Sequence, residues 1–261
     1  MTNAILSCSH VNRQFVSRGR VTDVLSDINL DVQAGQTVVI RGRSGTGKST
    51  LLQILAGLDR PTAGHVKIAG RTLEDLGTGE LTILRRQTIG FIFQSFNLIP
   101  SWTACQNVEA ALIHTPLTRP ERQRKICEML ERLELGDRME HLPSELSVGQ
   151  QQRVAIARAL VHRPAIVFAD EPTGDVDPET ARAIMDCLAR LVRENRTALI
   201  VCTHGEFTPV TADQHYLLQN GSIEPVSHGL TGKLSHQSEN RVTAVPNTGF
   251  ADGVRVIKTH P

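Results

Sequence analysis

The sequence is poor in aromatic residues, in paired cysteines and in long apolar runs. Only 3% of its 261 residues are aromatic while 40% are hydrophobic, so the core is expected to be aliphatic. An aliphatic core is typical of parallel strands covered by helices on both faces. No apolar run approaches the length that crosses a bilayer, and the N-terminus lacks a signal-peptide pattern. We therefore expect a soluble intracellular protein.

An excess of charge of either sign is also missing. Lys and Arg number 28 and Asp and Glu number 27, which leaves a net charge of +1. This balance disfavours binding to a nucleic-acid backbone, and the scarcity of aromatics disfavours stacking on bases, so no nucleic-acid partner is expected. The scattered cysteines include no C-x-x-C pair and indicate reduced thiols rather than disulfides or a zinc site. They are Cys8, Cys105, Cys127, Cys187 and Cys202.

Short β-branched runs alternate with amphipathic helical patterns. The runs predict strands buried on both faces, at residues 37–40, 89–93, 165–169 and 198–202. The helical patterns predict helices at 49–58, 121–135 and 178–193. This alternation predicts an α/β fold with a mostly parallel sheet. A helix-rich stretch at about 96–160 is interpreted as a helical subdomain inserted into that core.

The end of the chain differs in composition from the rest. Residues 226–261 are polar, rich in glycine and serine, and without sustained periodicity, which predicts a disordered or loosely attached tail. A short strand at 253–258 is an alternative for part of it. The domain prediction is therefore one domain at 1–225, followed by this tail.

A glycine-rich loop is the strongest motif. Residues 42–49, GRSGTGKS, fit G-x-x-x-x-G-K-[ST] between a predicted strand and a predicted helix. Backbone N–H groups of such a loop bind phosphate oxygens, Lys48 can reach the β- and γ-phosphates, and Ser49 can bind Mg²⁺. A chance match is expected in about one chain in a hundred. The nucleotide-binding residues predicted here are Gly42, Ser44, Gly45, Gly47, Lys48, Ser49 and Thr50.

Two carboxylates follow the predicted strand at 165–169. Sheets of this class bind ligands at the carboxyl ends of their strands. Asp170 is therefore placed to hold Mg²⁺, directly or through water, and Glu171 to take the proton from an attacking water. An isolated Asp-Glu pair would more often be a charged turn, but the upstream loop favours a nucleotide hydrolase.

A third motif lies between these two. Residues 146–160, LSVGQQQRVAIARAL, resemble the signature motif of the ATP-binding cassette (ABC) ATPases. Ser147 and Gln150 also form a capping-box pattern, which predicts a helix whose N-terminus can face an anion. An ordinary capped helix that packs inward is the alternative, and both can hold. The resemblance spans about 5–223 and implies a P-loop ATPase core with an N-terminal antiparallel β-subdomain.

The ABC resemblance implies roles for residues outside the loop. Gln94 matches the glutamine that joins the core to the helical subdomain, His204 matches the switch histidine, and Phe15 lies where the family places an aromatic against adenine. Alone, Phe15 and His204 would more often be ordinary core or surface residues. The implied catalytic residues are Glu171, His204, Lys48 and Gln94, and the implied Mg²⁺ ligands are Ser49, Gln94 and Asp170. Further implied nucleotide contacts are Phe15, Ser147, Gly149, Gln150 and Asp177.

The resemblance also implies a head-to-tail dimer that encloses ATP and Mg²⁺, with Ser147 and Gly149 closing over the γ-phosphate held by the other copy. Four positions depart from the family pattern. Val148 replaces a glycine and would be strained if its φ were positive. Gly205 stands where an acidic residue is common, and Asp175 and Val176 are atypical of the D-loop.

The stretch at 85–100, RRQTIGFIFQSFNLIP, resembles ABC ATPases of macrolide export, lipoprotein release and cell division. In that group the ATPase pairs with an integral membrane permease that has a large extracytoplasmic domain. The resemblance implies ATP-driven export or extrusion, with this chain on the cytoplasmic face of the membrane. The permease would dock in a groove near Gln94, where Phe96 and Trp102 could lie, although buried packing is the alternative for Phe96.

Two other classes of protein are the alternatives: soluble ABC ATPases without a permease, and pure interaction modules. A soluble ABC ATPase of the iron–sulfur assembly type, without a permease, fits the length, but residues 90–100 fit it less well. The DNA-repair types are excluded because they need a very long coiled coil between Lys48 and Asp170. The translation types are excluded because they carry two cassettes in one chain. A pure interaction module with a dead site is disfavoured because every catalytic position is filled.

Overall fold

The computed structural model describes residues 4–174, 176–204 and 211–226. The predictions for Asp175, for Gly205 and for the tail from residue 227 onward lie outside the described residues. Within them, ten strands form two sheets. The strands are β1 (Leu6–Ser17), β2 (Arg20–Val32), β3 (Thr37–Arg41), β4 (Ala63–Ile68), β5 (Arg71–Thr72), β6 (Ile89–Ile92), β7 (Ile166–Asp170), β8 (Ala198–Thr203), β9 (Gln214–Gln219) and β10 (Ser222–Pro225).

The two sheets differ in direction and confirm the predicted fold class. The smaller sheet is antiparallel, with the order β2-β1-β4-β5, and forms the N-terminal β-subdomain. The larger sheet has the order β10-β9-β3-β8-β7-β6 and is parallel except for β10. The four strands predicted from β-branched runs are β3, β6, β7 and β8, which are neighbours in this sheet. Their carboxyl ends therefore meet at one edge.

Six α-helices accompany the strands in the described part of the chain. They are α1 (Lys48–Leu55), α2 (Thr78–Thr88), α3 (Ala104–Glu109), α4 (Arg119–Arg132), α5 (Val148–Leu160) and α6 (Pro178–Glu194). The predicted helices correspond to α1, α4 and α6. One detail was wrong: the predicted helix extended to Leu58 with that side chain on its apolar face, but α1 ends at Leu55 and Leu58 is 44% exposed.

Both faces of the parallel sheet are buried, as the apolar runs predict. Successive residues of β7 point to opposite sides, so Val167 joins one hydrophobic cluster and Phe168 the other. Phe168 is fully buried. Among the largest fully buried side chains of the described residues it is the one aromatic, and the others are aliphatic. Burial of such a ring stabilises the fold by roughly 1.5–3 kcal/mol.

Helix α5 packs both on other helices and on the parallel sheet. It contacts α3 and α4, which lie in the helix-rich stretch predicted at 96–160, and it also contacts β6. The contact with β6 is very close, since a Cβ added to Gly90 would lie 2.3 Å from the carbonyl oxygen of Ala159. The ring Nε2 of His162 lies 3.1 Å from the carbonyl oxygen of Ile89. The signature sequence is therefore carried by a helix that is fixed to the sheet.

Candidate nucleotide-binding site

The glycine-rich loop connects β3 to α1, as its motif requires. Gly47 is the N-cap of α1 with a φ of 99°, and a Cβ there would lie 2.9 Å from Val24 Cγ1, so only glycine fits. The Nζ of Lys48 donates to the carbonyl oxygens of Gly42 at 3.0 Å and Arg43 at 3.1 Å. These bonds bend the loop around the lysine. The loop and the start of α1 thus form an anion-binding concavity.

Glu171 lies where the ends of β7 and β8 meet. Its amide nitrogen donates to the carbonyl oxygen of Cys202 at 2.9 Å, and its φ of 45° is uncommon for a residue with a side chain. One carboxylate oxygen, Oε1, lies 3.3 Å from Lys48 Nζ. The other, Oε2, lies 2.6 Å from His204 Nδ1. The structure therefore brings together three predicted catalytic residues that lie far apart in the sequence.

Asp170 is buried beside Ser49 at the end of β7. Burial raises the pKa of its carboxyl, while a hydrogen bond with the Ser49 side chain and the charge of Lys48 act in the opposite direction. Its Oδ1 is buried and has no hydrogen-bond partner within the described ranges. A carboxylate oxygen without a partner next to a hydroxyl is a donor set that Mg²⁺ prefers. These residues therefore fit a magnesium ion.

Two further predicted residues lie at the ends of elements. Gln94 follows β6 at the same sheet edge and is exposed, and none of the described contacts joins it to Glu171 or Asp170. Asp177 is the N-cap of α6 and accepts hydrogen bonds from the amide nitrogens of Glu179 at 3.1 Å and Thr180 at 3.0 Å. A hydrogen bond with the Thr180 side chain is the main cause that lowers the pKa of Asp177, and the bond with the Thr180 amide acts in the same direction.

The signature sequence forms the capping box that its pattern predicts. The amide of Gln150 donates to Ser147 Oγ at 3.3 Å, and the amide of Ser147 donates to Gln150 Oε1 at 2.9 Å. Gly149 packs against Thr180 of α6. Val148 is the first helical residue of α5 and is not among the positive-φ residues. The strain considered for a valine at this position is therefore absent.

Arg158 is a residue that the sequence analysis missed. From α5 its guanidinium donates to the carbonyl oxygens of Phe96 and Asn97, both at 2.6 Å. Both acceptors have positive φ, 59° and 49°. Arg158 thus fixes the backbone that follows Gln94, where Phe96 is half-buried. The helical pattern of α5 contains no signal for a bond to a loop about 60 residues away, because such bonds depend on tertiary packing.

A second missed arrangement surrounds Phe15. The ring belongs to β1, remains 42% exposed and lies under the guanidinium of Arg13, whose Cζ is 4.5 Å from the ring centroid. Arg13 in turn forms an ion pair with Asp59, with 2.8 Å between Nη2 and Oδ2. Neither contact follows from the motif that singled out Phe15.

A cavity of about 510 Å³ opens beside the catalytic cluster. Glu171 and His204 line it together with residues at the start of α6, including Pro178 and Arg182. The Glu171 side chain, which is 11% exposed, therefore borders a cavity large enough to hold water. The five cysteines are all free thiols, as expected, and four of them are buried. In the part of the chain that is described, no helix has both the length and the apolar character to cross a bilayer.

Comparison with known proteins places these features in a family. A family model described as ABC transporter matches residues 25–174. The lipoprotein-releasing system ATP-binding protein LolD of Pseudomonas fluorescens is 43% identical over 222 residues, which cover 84% of this chain and 97% of that protein. The macrolide export ATP-binding/permease protein MacB 1/2 of Paracoccus denitrificans is 45% identical over 213 residues, but the chain spans only 32% of its length.

A solved structure agrees with the sequence relatives. The dimeric post-hydrolysis state of the ATP-binding cassette MJ0796, bound to ADP and Pi, is similar with a TM-score of 0.77 and 39% identity. The match covers 84% of this chain and 96% of that one. Family, fold and ATPase class thus agree with the resemblance found in the motifs. The chain belongs to the ABC transporter family and is one of its ATP-binding, ATP-hydrolysing subunits.

Proposed function

We propose that this chain is the ATPase subunit of an exporter and acts on a separate membrane permease. The catalytic part of this proposal is supported by the position of the Glu171 carboxylate, which lies between Lys48 and His204 at the carboxyl edge of the parallel sheet. A carboxylate fixed at this edge, next to a phosphate-binding loop, can act as the general base on water.

The phosphates of ATP would lie in the loop at the start of α1. Lys48 would neutralise the β- and γ-phosphates, and the first N–H groups of α1 would bind their oxygens. Ser49 and Asp170, together with Gln94, would hold Mg²⁺, which when bound neutralises phosphate charge. The buried Asp170 Oδ1 that has no hydrogen-bond partner among the described atoms supports this assignment.

The proton of the attacking water would pass to Glu171. Because an ionised carboxylate only accepts hydrogen bonds, the Nδ1 of His204 donates to Oε2 and orients the carboxylate. Lys48 binds the other oxygen, Oε1. When Lys48 turns to the phosphates, that oxygen becomes available for the water. Binding of ATP would thereby prepare the base for catalysis.

A second copy of the chain would complete each site. The capped N-terminus of α5 carries Ser147, Gly149 and Gln150, and no contact described here joins these residues to the Glu171 cluster of their own chain. They are therefore assigned to the γ-phosphate of the partner copy. Asp177 lies close to them, since Gly149 packs against the first turn of α6. The dimeric state of the MJ0796 structure supports this arrangement.

The permease and the direction of transport are inferred from relatives and from one surface. LolD is named as part of a lipoprotein-releasing system, and MacB combines ATP-binding and permease parts in one protein. Near Gln94, Ile99 is 37% exposed and Trp102 is half-buried, which gives an apolar surface for a permease. The chain would then lie on the cytoplasmic face of the membrane. In this assignment residues 1–225 form the nucleotide-binding domain, with its helical subdomain at 96–160 and a tail at 226–261.

Purification from detergent-solubilised membranes tests the permease. The tagged chain is expected to recover an integral membrane protein, and Ile99→Asp is expected to abolish that recovery. Ile83→Asp is the matched control, because Ile83 is 43% exposed on α2. Recovery with soluble partners alone, such as those of iron–sulfur assembly, would contradict the transport role. Equal loss in both variants would contradict the docking surface.

A further inference from the structure

We propose that Arg13 positions the ring of Phe15 for the nucleobase and is thus a positioning residue for ATP binding. This inference rests on the proposed ATPase function, with Phe15 against adenine as the ABC resemblance implies, and extends it to a residue that need not touch the nucleotide. It follows from how Arg13 is fixed, from what Phe15 is attached to, and from the effect of a cation on an aromatic ring.

The guanidinium of Arg13 is held in place on one face of the Phe15 ring. Its Nη2 pairs with Asp59 Oδ2 at 2.8 Å, and its Nη1 donates to the carbonyl oxygen of Arg60 at 2.9 Å. The Arg13 side chain is 21% exposed, whereas Phe15 keeps 42% of its surface exposed. The ring therefore has one covered side and one open side.

This arrangement ties Phe15 to both ends of the helix that carries Lys48. Asp59 and Arg60 follow the C-terminal end of α1, which Arg13 reaches directly. At the other end of α1, Gly47 lies against Val24 of β2. Thr22, two residues from Val24 and so about 6–7 Å along the strand, is the β-sheet partner of Phe15. The ring and the phosphate-binding loop are thereby fixed relative to each other.

A cation on one face changes how the other face can bind. The guanidinium is attracted to the electron-rich face of the ring and restrains the ring. It also withdraws electron density, which favours stacking of a purine on the opposite face. Phenylalanine has no hydroxyl group that could anchor it by a hydrogen bond. Arg13 supplies that anchor.

Steady-state ATPase assays of the full chain test whether Arg13 affects binding of the nucleobase of ATP. Arg13→Met is expected to raise the KM for ATP about threefold to tenfold and to leave kcat unchanged, because the contact lies away from the phosphates. Arg13→Lys, which keeps a cation, should restore part of the affinity. Arg71→Met is the matched control, since Arg71 pairs with Glu80 near the same sheet and is expected to change neither constant.

A nucleotide analogue without a base separates positioning from general structural damage. Ribose 5-triphosphate, used as a competitive inhibitor, should bind Arg13→Met and the unmodified chain equally well. If the variant loses affinity for this analogue as much as for ATP, Arg13 acts only as a structural clamp and the inference is overturned.

Phe15→Ala shows which of the two proposals fails. If Phe15→Ala raises the KM for ATP and Arg13→Met does not, the base contact stands and the role of Arg13 is wrong. If Phe15→Ala has no effect, the base contact itself is wrong, and the role of Arg13 with it. If both substitutions weaken ATP binding, the double variant should be no worse than Phe15→Ala alone. An additive effect would contradict the inference.

Discussion

The Nδ1 of His204 lies 2.6 Å from Oε2 of Glu171, a bond that joins the ends of two neighbouring strands. Glu171 follows β7 and His204 follows β8, so the parallel pairing of these strands brings the residues together. The second oxygen of Glu171 reaches Lys48 at the start of α1. One carboxylate thus connects the phosphate-binding loop, the end of β7 and His204.

Loss of this bond should reduce turnover more than nucleotide binding. In His204→Ala the Glu171 carboxylate loses the donor that orients it, and kcat should fall about 10–100-fold, with little change in the KM for ATP. Steady-state kinetics measure both constants. His65→Ala, which removes an exposed histidine paired with Glu74, is the control. A normal kcat in His204→Ala would contradict the orienting role.

The close approach of α5 to β6 should make Gly90 irreplaceable. In Gly90→Ala the new Cβ meets a backbone oxygen at 2.3 Å, which requires the helix or the strand to move. The free energy of unfolding should fall by at least about 2 kcal/mol, as measured by chemical denaturation. Gly79→Ala is the control, because a Cβ there has nothing within 4 Å, and it should be neutral or stabilising. Equal stability of the two variants would show that the contact is looser than described.

Protonation of His162 should destabilise the fold in mild acid. Burial lowers the pKa of this ring below its ordinary value of 6.5, and its Nδ1 has no hydrogen-bond partner in the described part of the molecule. The unfolded chain therefore binds the proton more tightly than the folded chain. Stability should be lost as the pH falls through 6.5 towards the lower folded-state pKa.

Thermal unfolding between pH 7.5 and about pH 5 measures this effect. His162→Gln, whose side-chain amide can still donate to the carbonyl oxygen of Ile89, should show a shallower loss of stability than the unmodified chain. The exposed His65→Gln should behave like the unmodified chain. An unchanged slope in His162→Gln would rule out this histidine as the cause.

The sequence predicted the parts of the site that depend on local patterns better than the parts that depend on long-range contacts. The glycine-rich loop and the capping box of Ser147 and Gln150 depend on residues within a few positions, so their spacing was sufficient. The bond between Glu171 and His204 depends on strand order, and the sequence assigned both residues to the site without predicting that they bond. The contacts of Arg13 with Asp59 and of Arg158 with Phe96 connect distant segments. No sequence periodicity encodes them, since they are set by how packed elements meet.

The ends of elements show the same limit. The helical pattern continued to Leu58, yet α1 ends at Leu55 and Leu58 is 44% exposed. At Val148 the sequence raised a concern about backbone strain, which only the position of this residue within α5 resolves. The pattern of side chains alone predicted neither the end of α1 nor the backbone conformation of Val148.

The most direct test of the account is ATP turnover and association in Glu171→Gln. Glutamine keeps the shape of the side chain but cannot take a proton from water, so hydrolysis should become very slow while ATP still binds. ATP should then convert the variant from monomer to dimer, as measured by analytical ultracentrifugation with and without the nucleotide. Near-normal turnover in Glu171→Gln would contradict Glu171 as the base. A variant that binds ATP and stays monomeric would contradict the shared site.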